Sequence, residues 1–269
     1  MEKRIIGRGV LLGALGGLLA FAFARIASEP VINRAIDYEH GRDDAQMALD
    51  KAAGKPMDME MGSELFTRGQ QQNIGLGFGV IVLGMAMGAL FAVVYYLALR
   101  RAGRITARNL ALLVSGGMFL ALYAVPFLKY PANPPGSSDA DTIKERTGMF
   151  AIMIAVSVLA LLAAVWLGRR LAARLGNWTA GIAAATACTV VIAVAMLALP
   201  SYSAETPEAL RNPAGAIVYP GFPAADLYSF RLYSFAAQLI LWVVIGVGFA
   251  WLAPRLLGER DSAPAPSAA

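Results

Sequence analysis

Residues 147–168 read TGMFAIMIAVSVLALLAAVWLG, residues 169–174 read RRLAAR, and residues 175–204 read LGNWTAGIAAATACTVVIAVAMLALPSYSA. Two apolar stretches without a single charge flank a turn that carries Arg169, Arg170 and Arg174. A helix rises about 1.5 Å per residue and a bilayer's hydrocarbon core is about 30 Å thick, so about 20 residues suffice to cross it. Backbone in lipid must satisfy its own hydrogen bonds, which selects helix. The pattern predicts a pair of transmembrane helices joined by a short basic turn.

The rest of the chain repeats this theme. Of 269 residues, 58% are hydrophobic and 15% charged, with a mean hydropathy of +0.58. A solvated globular domain carries about 25% charged residues. Apolar stretches place spans at about 5–27, 72–99, 109–128, 148–168, 178–199 and 232–253, with a long loop at 28–68 and a disordered tail at 255–269. The expectation is an all-α integral membrane protein, a polytopic helical bundle of about six transmembrane helices in one membrane domain over residues 1–254. The count falls to five if the first span, with Ala22-Phe23-Ala24 before Arg25, is a cleaved leader. Gly9, Gly13 and Gly17 favour a retained helix, because glycines four apart let two helix backbones approach closely. Gly75/Gly79 and Gly84/Gly88 repeat the device in the second span.

Charge sorts by side. Lys3, Arg4 and Arg8, then Arg100, Arg101, Arg104 and Arg108, then Arg169, Arg170 and Arg174, then Arg255 and Arg260 fall in alternate segments. That side holds 12 basic and 3 acidic residues, the other 11 basic and 15 acidic. Cytoplasmic loops retain an excess of Lys and Arg, so both termini are expected in the cytoplasm. The net charge of +5 is then an insertion signal, and no nucleic-acid surface is expected.

The 28–68 loop is too long for a connector. Ser28-Glu29-Pro30 reads as a helix start, Ile32, Ala35 and Ile36 as an apolar stripe, and Gly41 as a stop. A second short helix is expected from Asp43 to Ala53. Asp37 and His40 share a face, and eight acidic residues from Asp37 to Glu64 would concentrate cations. Glu29, Asp37, Glu39 and His40 are the candidate metal contacts, since carboxylate and imidazole suit a divalent first-row ion. Met57, Met59 and Met61 offer thioether ligation of Cu(I) as an alternative, and a plain solvated face is the simplest reading of the acids.

Residues 125–136 read VPFLKYPANPPG, four prolines within ten residues, which predicts a rigid shaped connection. Lys129, Tyr130 and Asn133 would line a pore or its mouth; Lys129 and Tyr130 equally suit membrane-interface anchors. Arg231, at the end of the last span, is expected either to pair with an acid such as Glu29 or to snorkel. Gln238, two turns deeper, completes the pore or mouth set unless it serves a neighbouring helix.

One histidine, His40, and one cysteine, Cys188, exclude a multi-histidine cage, a cysteine zinc site and an internal disulfide. No Walker A, His-Glu-x-x-His or Gly-x-Ser-x-Gly pattern occurs, so neither an enzyme nor a bound cofactor is expected. No carboxylate falls at mid-depth in a span. A conduit, or a subunit whose coupling groups come from a partner, fits that better than a self-contained proton-coupled carrier.

Glu29-Pro30, residues 126–136, Asp141-Thr142-Ile143 with Arg146-Thr147, and Phe222-Pro223-Ala224 leading to Phe230-Arg231, Gln238-Leu239 and Trp242 resemble the CbtA family of predicted cobalt transporter subunits. The likeness covers nearly the whole chain, and FLKYPANPP at 127–135 is its most specific element. The resemblance implies a bacterial inner-membrane protein for Co(II) uptake linked to cobalamin synthesis. It also implies a small CbtB-type partner with one span and a histidine-bearing end, which would supply the imidazole scarce here. The family is described with about five spans. The rival expectation is a non-transporting scaffold or assembly subunit whose glycine faces pack on other chains, and a homo-oligomer is compatible with either.

Overall fold

The computed structural model describes residues 2–55, 75–103, 105–202 and 206–257. The methionines at 57, 59 and 61, the expected start of the second span and the tail beyond Leu257 lie outside them. The elements are α1 (Glu2–Ala27), α2 (Glu29–Ala52), α3 (Leu76–Leu99), α4 (Ala107–Phe119), a π turn (Leu120–Ala124), α5 (Val125–Lys129), a 3-10 turn (Ala140–Thr142), α6 (Ile143–Ala198), β1 (Leu210–Arg211), β2 (Ile217–Tyr219) and α7 (Ala224–Leu257). Among the described residues, five continuous stretches are long and apolar enough to cross a membrane: α1, α3, residues 107–129, α6 and α7. The protein is an all-α polytopic membrane protein.

The longest of them is two helices. At Gly176, φ is 75° and ψ 161°, a conformation open essentially to glycine alone, and the chain reverses there. Residues 168 and 184 would stand roughly 24 Å apart along a straight helix. Instead a Cβ built on Gly168 would lie 3.5 Å from the Ala184 Cβ. The arms 143–175 and 177–198 therefore pack as a hairpin. This reversal accounts for the difference between six apolar stretches in the sequence and five continuous helices.

The π turn just before Pro126 has a local cause. A proline ring clashes with the carbonyl four residues earlier and cannot donate to it, and a widened turn makes room.

Contacts divide the chain into two compact units, one holding residues 2–23, 75–119 and 236–257, the other residues 24–55 and 120–235. In the first unit α1 and α3 lie antiparallel along a glycine seam. Gly9 faces Gly88, Gly13 faces Gly84, and a Cβ on Gly17 would fall 2.8 Å from the Val80 carbonyl oxygen. The expected seam is thus real for Gly84 and Gly88. Nothing lies within 4 Å of a Cβ on Gly79, so that glycine is no part of it. Phe91, Tyr95 and Phe249 pack edge-on and stacked, with ring centroids 4.8–6.0 Å apart. The buried Ser115 hydroxyl donates to the Trp242 carbonyl at 2.7 Å, opposite Gly246.

In the second unit α2 differs from the sequence expectation of two short helices parted at Gly41. It is one helix, and it passes through Gly41 because the Tyr219 ring packs against that bare backbone. Tyr38 stacks its edge on Phe222 at 4.9 Å and donates its hydroxyl to the Pro220 carbonyl at 3.0 Å. Arg34 forks onto Asp226 Oδ1 at 2.9 and 2.7 Å, and Arg42 donates to the Glu208 carbonyl at 2.7 Å. Residues 34, 38 and 42 recur every four, so one stripe of α2 docks on the segment 206–227.

Candidate functional site

Docking of that stripe decides what the remaining faces of α2 can do. Asp37, His40 and Asp44 recur at three- and four-residue spacing on an exposed face, whereas Glu29 is buried and 2% exposed at the first turn. There its carboxylate suits the positive end of the helix dipole. Eleven residues of helix separate Glu29 from His40 by roughly 16 Å, far beyond the reach of one ion's ligand shell. Glu39 lies half-buried against Gly136, whose left-handed φ of 65° belongs to the proline-rich connection. The four candidate metal contacts thus sit on one helix without converging. Among the described residues no group of three His, Cys, Asp or Glu side chains is placed to hold a metal ion.

The candidate mouth residues behave differently. Tyr130 is buried, and its hydroxyl donates to the Pro200 carbonyl at 2.8 Å. Asn133 donates through Nδ2 to Ser138 Oγ at 2.8 Å, which aims its amide oxygen at Arg231. Arg231 Nε and Nη2 then donate to that oxygen at 3.3 and 2.7 Å. The expected acid partner is thus replaced by an amide: among the described residues Arg231 pairs with Asn133 and not with Glu29. The Lys129 ammonium sits 5.8 Å from the Tyr130 ring centroid.

Lys129, Tyr130, Asn133 and Arg231 line one recess of about 160 Å³, shared with Arg146 and Thr206. Arg146 stands close enough to Arg231 for the two cations to repel. Its distant role had no signal in the sequence. Gln238, half-buried on α7, belongs to the other compact unit.

Two proline carbonyls of the rigid connection are occupied by the chain itself. Pro126 accepts from the Tyr130 N–H at 2.8 Å and Pro134 from the Ser137 hydroxyl at 2.6 Å. Burial and the nearby Tyr202 push the Tyr130 phenol above its ordinary pKa, so it remains a donor. Among the described residues around the recess the chemistry is that of guanidinium, ammonium, amide and hydroxyl, which favours anions over bare cations.

Long apolar helices, a glycine-packed helix pair and polar groups gathered at helix ends define a multi-pass helical membrane protein. The chain belongs to the CbtA family, described as probable cobalt transporter subunit, whose family model matches residues 2–254. No curated protein and no solved structure matches it.

Proposed function

We propose that this chain is the membrane-spanning subunit of a Co(II) uptake system that feeds cobalamin synthesis. The family match over residues 2–254 carries the reading. The reading places the chain in a bacterial inner membrane with six crossings, both termini in the cytoplasm and no catalytic role. Co(II) is cargo and not a resident cofactor. The exposed Asp37, His40 and Asp44 face of α2 makes the first, weak contact with the ion. Two carboxylates and one imidazole, spread along a helix, gather a cation without trapping it. With one histidine in 269 residues, the tighter ligands come from a small partner subunit with a histidine-bearing end. The ion does not pass Arg231, because Lys129, Arg146 and Arg231 repel it; that corner braces the fold beside the path.

The test is cobalt accumulation in cells lacking other importers, with this chain expressed alone and with the small subunit. Co-expression raises uptake, and Asp37→Asn with His40→Ala lowers it while assembly with the small subunit stays intact. Accumulation that does not change on co-expression refutes transport. Lost assembly in those same variants supports the scaffold reading instead.

A further inference from the structure

The recess at Lys129, Arg146 and Arg231 does not stand alone. A second depression of about 310 Å³ adjoins it and shares Tyr130, Pro131 and Arg146 with it. The walls of that trough are Tyr123, Phe127, Ile143 and Phe150. Tyr123 and Phe127 precede Lys129 by about one and a half turns and half a turn, and Phe150 follows Arg146 by one turn. From the charged recess the trough therefore runs back along two apolar helical stretches, 107–129 and α6. A basic pocket at the ends of apolar helices, opening into an aromatic trough beside them, has the amphiphilic form of a phospholipid.

The donor set agrees. Arg231 spends Nε and one Nη2 hydrogen on Asn133, and a guanidinium has five N–H donors in a fixed fork, so further donors remain to aim at an anion. Asn133 fixes that fork, and Ser138 fixes Asn133. Tyr130, bonded to Pro200, forms a rigid wall common to the recess and the trough. Among the described residues no carboxylate lines the recess, and the charged neighbour that Arg231 senses is another cation.

We propose that this paired recess and trough is a specific site for an anionic phospholipid, its phosphate held by Lys129, Arg146 and Arg231 and an acyl chain lying along Tyr123, Phe127 and Phe150. The site stands independently of cobalt transport. The phosphate meets three cations gathered at one recess, so bound lipid stabilises this corner of the second unit.

The experiment is native mass spectrometry of the full-length chain released from detergent. It compares phosphatidylglycerol, phosphatidylcholine and inorganic phosphate as added probes, with circular dichroism and gel filtration as checks of folding. One phosphatidylglycerol per chain is retained in preference to phosphatidylcholine. The doubly substituted Lys129→Gln, Arg146→Gln chain, which keeps the Asn133–Arg231 bond, binds it roughly thirtyfold more weakly. If that chain does not fold, each single substitution is read instead, with a loss of roughly fivefold.

Equal retention of the two lipids, or unchanged phosphatidylglycerol binding in folded variants, overturns the proposal. Full displacement of the lipid by millimolar inorganic phosphate assigns the recess to the free ion and also overturns it. Glu205 precedes Thr206 and lies outside the described residues. Lipid binding that appears only in Glu205→Gln shows that the chain's own carboxylate fills the recess, which overturns the proposal as well.

Discussion

Replacing Gly13 by alanine adds one methyl group to the closest helix contact in the first compact unit. That Cβ would run into the Gly84 carbonyl and come within 3.0 Å of Gly88 Cα. The opposing surface is equally unyielding, since a Cβ on Gly88 would meet Gly13 Cα at 2.9 Å. Every obstructing atom is backbone, so no side-chain rotation relieves the clash. Non-bonded carbons rest about 3.5–4.0 Å apart, so α1 and α3 must part by roughly 1 Å, and a gap of that size forfeits about a quarter to a half of each dispersion contact along the seam. Overpacking of this kind costs about 1–3 kcal/mol. For a chain of this length about 2 kcal/mol corresponds to a fall in Tm of roughly 4–8 °C. The assay is thermal unfolding in detergent, read as the fraction still monodisperse after heating. Gly79→Ala is the control, because its Cβ meets nothing within 4 Å, and it should stay within about 0.5 kcal/mol of the parent. A Gly13→Ala chain with an unchanged midpoint, or an equal fall in Gly79→Ala, refutes the seam as a source of stability.

Gly246→Ala drives its methyl to 2.6 Å from Ser115 Oγ and should cost about 2 kcal/mol, of which Ser115→Gly in the same chain should restore part, measured in the same thermal assay. Tyr130→Phe removes the hydroxyl bond to Pro200 and should cost about 1 kcal/mol. Because the folded phenol lies above its unfolded pKa near 10, its contribution is complete below about pH 10 and is lost as pH rises through the folded value. Alkaline unfolding followed by circular dichroism should show that loss in the parent and not in Tyr130→Phe. A double-mutant cycle on Arg34 and Asp226 should give a coupling below about 1 kcal/mol that shrinks with salt, since the Arg34 side chain is 53% exposed. In a Cys188→Ser background, an impermeant maleimide applied to intact cells should label Asp44→Cys and spare Arg170→Cys; the reverse pattern would invert the proposed sidedness.

Helix positions were legible because lipid reduces the problem to length and polarity: α1, α3, α6 and α7 each contain a stretch that any reading of charge and hydropathy selects. The glycine seam was legible for the same reason, since Gly9, Gly13, Gly84 and Gly88 share a spacing that serves close approach. Gly79 carries that spacing too, yet the antiparallel register of α1 leaves it uncovered. Gly41 misled, because a glycine that ends a helix and one that admits a tyrosine ring look identical in sequence, and Tyr219 is far away along the chain. The site was less legible for a related reason. Asn133 and Arg231 are 98 residues apart, and both belonged to the mouth set, but an arginine near acids reads as an ion pair until the fold delivers an amide. Arg146 follows Glu145 directly, and nothing in the sequence ties it to Arg231. Glu29 shows the converse: its carboxylate suggested a metal contact, while burial at a helix start removes it from the other candidates.

Gly176 determines what the longest helix could otherwise become. Both arms are helical, so an alanine at that position, strained at a φ of 75°, would favour continuing the helix over turning back. An uninterrupted rod of 56 residues measures about 84 Å, nearly three hydrocarbon thicknesses. No tilt accommodates that length, and Arg169, Arg170 and Arg174 would have to enter the oil for the rod to try. Cells producing such a chain would meet an insertion failure for the quality-control proteases, and the loss would register as missing protein before it registered as missing cobalt.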